Sequence, residues 1–288
     1  GAYLIRAQLT DDVGVTVGTG ITSILVGSPN DVVMVVGDPD LSNAPADQAI
    51  VDRLTALGFN VTVVDDNLSQ SLNAFGKKLV VISSSVSSGS VGTKFRDVEV
   101  PVLLWEQANQ DDFGMTANED GVTRGGTDPD QTELNVVGAG NALSAGLTDG
   151  VHVIANTPTA FTWGSPNENA IIGATIAGDP NLAALYGYEA GDEMIDGFIA
   201  PGRRVMAFLT DDAYTALNDT GRQLFDAALS WALGSTLPSP EPGGTLSLRI
   251  EATAGGQLTL AWEGGNGPFT VQRTDNLSGA AWTDVTTT

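Results

Sequence analysis

Three patterns of hydrophobic and polar positions follow one another along this chain of 288 residues. Residues 1–27 alternate apolar and polar side chains around a turn at 11–14, which predicts a β-hairpin. From residue 31 the alternation gives way to short, continuous apolar runs that end in glycine or polar residues. Beyond residue 245 the period of two returns. The pattern therefore predicts a central α/β domain between two β segments.

The central region alternates predicted strands with predicted helices. Four continuous apolar runs predict strands that are buried on both faces. These runs are residues 32–36, 59–64, 79–82 and 100–105. Helical periodicity predicts a helix at 46–57 and another at 219–233, the second capped by Asp219 or Thr220. Such alternation predicts a parallel sheet with right-handed crossovers.

Turn residues and composition divide the chain into four segments. They are a β-strand segment at 1–29, the α/β domain at 30–235, a proline-rich linker at 236–244 and a small β-module at 245–288. Within the central domain, residues 107–130 are polar and predict a long loop. Arg203 and Arg204 form an isolated basic pair, which predicts charges at a strand edge.

Charge and residue usage exclude several classes of function. The chain has 35 acidic and 12 basic residues and a formal net charge of −23, which argues against nucleic-acid partners and anionic membranes. No apolar run is long enough to predict membrane insertion. The absence of cysteine excludes disulfides and thiol nucleophiles, and the single His152 excludes sites that need two imidazoles. Any chemistry must depend on carboxylates, hydroxyls and amides.

Residues 31–234 resemble a flavodoxin-like, class I glutamine-amidotransferase-like domain of the trehalose-utilisation-like branch. The resemblance is carried by short motifs at the ends of the predicted elements. They are Val-Val-Gly-Asp at 35–38, Leu-Gly-Phe at 57–59, Val-Val-Asp-Asp at 63–66, residues 79–85 and 92–96, Pro-Val-Leu-Leu-Trp-Glu at 101–106 and the helix at 224–233. It implies a flavodoxin-like parallel sheet with helices on both faces. The residues that show this resemblance, 31–234, make up about 70% of the chain.

The sequence departs from that family at the residues that carry its activity. The resemblance implies a nucleophilic cysteine on a sharp turn after residues 101–104, followed by a histidine and a glutamate near the C-terminus. Trp105, Glu106 and Gln107 occupy the turn instead, and the only histidine lies in the middle of the chain. The glutaminase reaction therefore cannot proceed on these residues.

The flanking segments resemble modules of secreted bacterial proteins. Residues 1–27 resemble the last strands of Ig-like and PKD-type modules. Residues 244–288 resemble short C-terminal β-modules of planctomycete-type and verrucomicrobia-type proteins, although the segment is shorter than a complete module. These resemblances imply an extracellular or cell-surface location in a bacterium, within a multidomain protein.

Acidic residues follow the predicted strands at the ends that share one edge of a parallel sheet. One hypothesis is a site for a hard cation such as Ca²⁺, formed by Asp65, Asp66, Asp111 and Asp112. A second is an acid–base pair for hydrolysis, for which Glu106 and Asp38 are the candidates. The third interpretation is a hydrated acidic rim without a specific ligand.

A serine-rich loop at 83–90 also follows a strand and precedes a helix. The candidates for ligand binding are Ser84, Ser85, Ser87 and Ser88, since backbone N–H groups at such a turn can bind an anion. The loop lacks the glycine pattern of phosphate-binding motifs, so an ordinary polar loop is the alternative. His152 alternates with apolar neighbours, which predicts a structural role.

The sequence favours a non-catalytic structural or binding module of an exported protein. The two terminal β segments could complete each other within one chain or between chains, and completion between chains would build filaments. Its expected partners are therefore other copies of itself or neighbouring β-modules, and no cofactor is required. The alternatives are a carboxylate-based hydrolase and a Ca²⁺-dependent protein that binds glycans.

Overall fold

The computed structural model describes residues 2–10, 16–25, 30–119, 122–234, 237, 247–252, 258–263, 270–273 and 283–287. In chain order the strands are β1 (Ala2–Thr10), β2 (Thr16–Leu25), β3 (Asp31–Val36), β4 (Asn60–Asp65), β5 (Leu79–Ile82), β6 (Val102–Leu104), β7 (Asn118–Glu119), β8 (Val122–Thr123), β9 (Gly125–Gln131), β10 (Glu133–Val136), β11 (Gly150–Val153), β12 (Thr159–Gly164), β13 (Ile171–Ile176), β14 (Asp179–Tyr188), β15 (Arg204–Met206), β16 (Ser247–Ala252), β17 (Leu258–Glu263), β18 (Thr270–Arg273) and β19 (Thr283–Thr287). The described α-helices are α1 (Pro45–Ala56), α2 (Ser88–Val91), α3 (Ala213–Ala216) and α4 (Asp219–Leu233).

One mixed sheet of eleven strands runs through the central region. From one edge to the other its order is β11, β10, β13, β14, β15, β6, β5, β3 and β4, and β12 pairs with β14 and β9 off this path. The five strands β4, β3, β5, β6 and β15 are parallel to one another. The remaining six pairs are antiparallel. The carboxyl ends of the five parallel strands therefore share one edge of the sheet.

The predicted fold class, a flavodoxin-like parallel sheet with helices on both faces, was wrong. Antiparallel pairs are in the majority, and two of the four described helices contain only four residues each. The connection between β13 and β14 shows the cause. Ile176 pairs with Asp179 across a turn in which Gly178 has a φ of +90°. A turn this short makes a hairpin, whereas a parallel neighbour needs a crossover of about a dozen residues.

The predicted loop at 107–130 is also more structured than expected. It contains β7 and β8, and β9 begins within it. The buried Gln110 fixes this segment to the sheet, because its Oε1 accepts a hydrogen bond of 2.5 Å from the hydroxyl of Tyr186. Its Nε2 donates to the carbonyl of Trp163 at 2.9 Å. A buried, satisfied amide thus stabilises a segment that composition alone marks as irregular.

Local signals explain the two long helices. Pro45 occupies the first turn of α1, and Ile50 and Leu54 are its buried face. The predicted helix at 219–233 is confirmed as α4, but its cap is Asn218, whose side chain accepts the N–H of Gly221 at 3.0 Å. Gly234 ends α4 in the left-handed conformation.

The core lies where α4 packs on the parallel strands. β3, β5 and β6 are buried almost throughout. The ring of Trp105, at the end of β6, meets the ring of Phe225 on α4 edge to face, with centroids 6.2 Å apart. None of the described helices is long and apolar enough to cross a membrane.

The terminal segments form three antiparallel hairpins. They pair β1 with β2, β16 with β17 and β18 with β19. Strand β2 also lies next to β18, with Cα atoms within 8 Å, although the two strands are about 250 residues apart in sequence. The predicted linker at 236–244 lies outside the described residues, apart from Leu237. The two ends of the chain therefore meet.

Candidate functional site

Buried polar side chains concentrate at the carboxyl ends of the parallel strands. Asp47 lies in the first turn of α1, which follows β3. Ser83 directly follows β5, and Glu106 is the second residue after β6. All three are buried. Because parallel strands end at one edge, residues that are far apart in sequence come together here. We call Asp47, Ser83, Ser85, Glu106 and the nearby Asp211 the acidic edge site.

Asp47 is held by two serine hydroxyls. Ser83 Oγ donates to its Oδ1 at 2.6 Å, and Ser85 Oγ donates to its Oδ2 at 2.6 Å. Ser85 Oγ in turn accepts the N–H of Gly37 at 3.2 Å. Burial raises the pKa of Asp47 above its usual value, the two serine hydrogen bonds oppose that rise, and the negative charge of Asp211 adds to it. The carboxyl group is thus enclosed by the protein's own donors.

Glu106 is the most perturbed carboxyl group of the site. Its side chain is only 6% exposed, and Oε1 accepts the N–H of Ala108 at 3.0 Å, which caps the short turn Gln107–Asn109. Burial raises its pKa to about 7, against the opposing effect of that hydrogen bond and with a contribution from Asp211. A carboxyl group with this pKa can hold or release a proton at neutral pH.

The sequence pointed to Glu106 but missed two members of the site. Asp47 belongs to a helix, where an acidic residue in the first turn is ordinarily a favourable surface charge. Asp211 follows β15, which the sequence did not identify as a member of the parallel set. A carboxylate in the helical turn that directly follows a buried strand was the available signal for Asp47.

The other predicted catalytic candidate, Asp38, is a turn residue. Its carboxylate accepts the N–H of Asp40 at 2.9 Å, and both residues are exposed. This is the side-chain-to-backbone contact that stabilises an Asx turn. The described contacts therefore do not join Asp38 to Glu106 as a catalytic pair.

The four predicted metal ligands make separate contacts. Asp65 accepts the N–H of Asn67 at 2.8 Å, Asp66 accepts the N–H of Ser87 at 2.5 Å, and Asp112 accepts from the side-chain amide of Asn109 at 2.8 Å. Burial raises the pKa of Asp112. Among the described residues no group of three or more His, Cys, Asp or Glu side chains could hold a metal ion. These aspartates, Asp111 included, therefore form no such group.

The serine-rich loop binds carboxylates of the protein itself. Ser85 donates to Asp47, as described above, and the N–H of Ser87 is taken by Asp66. The carbonyl of Ser88 accepts from the amide of Asn109 at 3.0 Å. Within the described part of the chain, Ser84 Oγ is buried without a hydrogen-bond partner. Donors that were predicted to bind an anionic ligand thus hold two aspartates in place.

His152 has a local contact on the edge strand β11. Its Nε2 lies 2.8 Å from the carbonyl oxygen of Thr148, four residues earlier in the chain. This short-range contact accords with the structural role that the sequence predicted.

No protein-family profile matches this chain. No curated protein is significantly similar to it.

Replacing Glu106 with glutamine should remove a pH-dependent loss of stability. The pKa is about 7 in the folded protein and about 4.5 in the unfolded chain, so the folded state binds more protons between these values. The contribution of protonated Glu106 to the free energy of unfolding is fully present below about pH 4.5. It is lost as the pH rises through 7. At pH 8 the variant should be more stable than the unaltered chain by about 3 kcal/mol.

Urea unfolding followed by circular dichroism at pH 5 and pH 8 measures this difference. At pH 5 the two proteins should agree to within about 1 kcal/mol, since most of the linkage effect develops above that pH and the glutamine keeps the acceptor for Ala108. Asp47 and Asp112 titrate equally in both proteins and cancel in the comparison. An unchanged pH profile in the variant would show that Glu106 does not carry the effect.

Proposed function

We propose that this chain is a non-catalytic structural or binding module of an exported bacterial surface or extracellular protein. The observation that carries the proposal is the acidic edge site, whose polar groups bind one another. Ser83 and Ser85 hold Asp47, and Glu106 caps its own chain at Ala108. Trp105, which precedes Glu106, packs into the core. The turn that follows β6 therefore serves to stabilise the fold.

The terminal hairpins support a role in which the module is joined to others. A two-stranded hairpin alone is marginally stable in water, so each needs a partner. The closeness of β2 and β18 favours completion within one chain. The same contact made between copies would exchange strands and link molecules into filaments. The function as proposed needs no cofactor, and its partners are β-modules or other copies of this chain.

Turnover assays test the non-catalytic proposal directly. The purified chain should give no turnover above background with panels of aryl esters and aryl glycosides between pH 5 and pH 8. The Glu106→Gln variant is the matched control, because it keeps the cap at Ala108 and removes the titrating group. Turnover that is present in the unaltered chain and lost in the variant would overturn the proposal.

The second candidate function is a carboxylate-based hydrolase. The observation in its favour is the pKa of about 7 for Glu106, which suits a general acid or base at neutral pH. Asp211, which acts on Glu106 through its charge, would be the second carboxylate. The assay above decides between the two candidates, since only a hydrolase loses turnover with Glu106→Gln.

The third candidate function is a carbohydrate-binding protein that depends on Ca²⁺. One observation favours a ligand near Asp66, because its buried Oδ1 has no hydrogen-bond partner among the described residues. Cation binding there would raise the melting temperature when calcium is added and lower it with a chelator. A melting temperature that neither calcium, chelator nor glycans change would contradict this alternative.

A further inference from the structure

Exposed apolar side chains concentrate at the two edges of the central sheet. Strands β4 and β11 are the ends of the strand order, so neither has a further neighbour on its outer side in the described part of the chain. Six large hydrophobic side chains are exposed among the described residues, and five of them belong to these edges. They are Leu68, Leu72 and Phe75 near β4, Val151 and Val153 on β11, and Ile199 elsewhere.

The apolar patch near β4 lies in the segment that leaves the end of this strand. Leu68 is 74% exposed and Leu72 is 72% exposed, and Phe75 is partly exposed beside them in sequence. Lys77 and Lys78 follow, and Lys77 Nζ donates to Thr62 Oγ1 on β4 at 3.1 Å. This contact places an ammonium group on the edge strand itself. We call Leu68, Leu72, Phe75, Lys77 and Lys78 the β4 edge patch.

The opposite edge is apolar and flanked by acids. Val151 and Val153 are 56% and 54% exposed, and alternate residues of a strand point to the same face. Asp149 precedes the strand, and Glu133 on β10 pairs with Val153. We call these four residues the β11 edge patch. The edge at β4 carries Lys77 and Lys78 against Asp65, the last residue of the strand, and this edge carries two acids, so the net charges of the two edges are opposite.

A second copy of the same chain fits this arrangement, since every copy carries both halves of the contact. Asn218 Nδ2 already donates to the carbonyl of Val153 at 2.9 Å, so side chains rather than a continued backbone ladder would carry the contact. A contact between two different surfaces of identical molecules does not close on itself without a suitable rotation. Such a contact extends from copy to copy.

We infer that the β4 edge patch of one copy docks on the β11 edge patch of the next, which aligns the central sheets of successive copies in a linear assembly. The inference rests on the proposed structural function and names the partner surface. Burying exposed leucine and valine side chains supplies the attraction, and the lysines and acids set which edges meet. The contact area is small, so single contacts should be weak and strengthen with concentration.

Two edge variants test the inference by sedimentation velocity over a range of concentrations. Leu68→Glu with Leu72→Glu places negative charges opposite an acidic patch, and Val151→Lys with Val153→Lys places positive charges opposite the lysines. All four side chains are largely exposed, so the fold should tolerate the changes. Each variant alone should stay monomeric, with an association constant lowered about 30-fold or more.

Mixing the two variants gives the decisive result. Each retains one intact edge, and the intact edges are complementary, so the mixture should form 1:1 dimers. Dimers should not extend further, because both altered edges have lost the leucine or valine side chains that supply the attraction. Ile199→Glu is the matched control, because Ile199 is exposed in the connection between β14 and β15 in the middle of the strand order. This variant should assemble as the unaltered chain does.

Three outcomes would overturn the inference. They are an unaltered chain that stays monomeric at every concentration, an edge variant that still dimerises alone, and assembly that persists in both edge variants. The last outcome would favour exchange of terminal strands and would leave the proposed function intact. Turnover in the substrate panel would instead overturn the proposed function, whatever the assembly state.

Discussion

Replacing Arg204 with methionine should lower the free energy of unfolding by about 4 kcal/mol, because a buried hydrogen-bonding hub would be lost. Arg204 is 0% exposed, and its guanidinium donates to backbone carbonyls and to no carboxylate in the described contacts. Nη1 donates to the carbonyls of Val100 and Arg203, and Nη2 donates to those of Arg96 and Val98 at 3.0 and 2.5 Å. Methionine fills the space but removes the donor from the carbonyls of Arg96, Val98 and Val100, whereas the carbonyl of Arg203 still accepts the N–H of Val102 at 2.9 Å.

The charge of Arg204 persists in its buried position. Burial lowers the pKa of the guanidinium to about 10, with Asp97 opposing that change, so the group is protonated at neutral pH. Four carbonyl dipoles therefore solvate the cation and fix the segment 96–100 against β15. Arg204→Lys should recover only part of the lost stability, since an ammonium group cannot reproduce the planar fork of donors.

Urea unfolding at pH 7 measures the loss, with Arg222→Met as the matched control. Arg222 is half exposed and lies 3.6 Å from Asp219 in a surface ion pair, which contributes about 0.5 kcal/mol or less. A similar loss in both variants would contradict the role given to the buried guanidinium.

Arg204 also shows a limit of what the sequence could predict. The pair Arg203 and Arg204 was predicted to lie at a strand edge, and for Arg204 this was wrong. Its strand β15 lies in the middle of the sheet, between β14 and β6. Arg203 pairs with Glu189 at 2.5 Å. A one-residue difference on a strand reverses the face, and only the register of distant strands decides which arginine is buried.

Local signals predicted the parallel part of the sheet better than the antiparallel part. The apolar runs of β3, β5 and β6 and the stripe of α4 are each complete within a short window, so sequence alone located them. Whether two later strands pair as a hairpin or through a crossover depends on the length of the connection between them. The short turn at Gly178, between β13 and β14, makes a hairpin. In the acidic edge site, Glu106 follows a predicted strand, whereas Asp47 reaches it only through the packing of α1.

Replacing Gly37 with alanine should lower the free energy of unfolding by about 3 kcal/mol and should disturb the acidic edge site. A Cβ atom at Gly37 would lie 2.2 Å from the carbonyl oxygen of Ser85 and 3.1 Å from its carbonyl carbon. These are backbone atoms of the serine-rich loop that follows buried β5, so the backbone of that loop must move. That movement would separate Ser85 Oγ from the N–H of Gly37 and from Asp47.

Two measurements separate this effect from an ordinary loss of helix or loop stability. Urea unfolding gives the stability change, and Gly89→Ala is the matched control, because nothing lies within 4 Å of a Cβ at Gly89 in α2. That control should be neutral or slightly stabilising, since alanine favours a helix over glycine. If Gly37→Ala is as well tolerated as Gly89→Ala, the close approach of β3 and the serine loop does not hold the site together. If Gly37→Ala unfolds more readily and Gly89→Ala does not, the glycine is required because two backbones meet where the buried strands end.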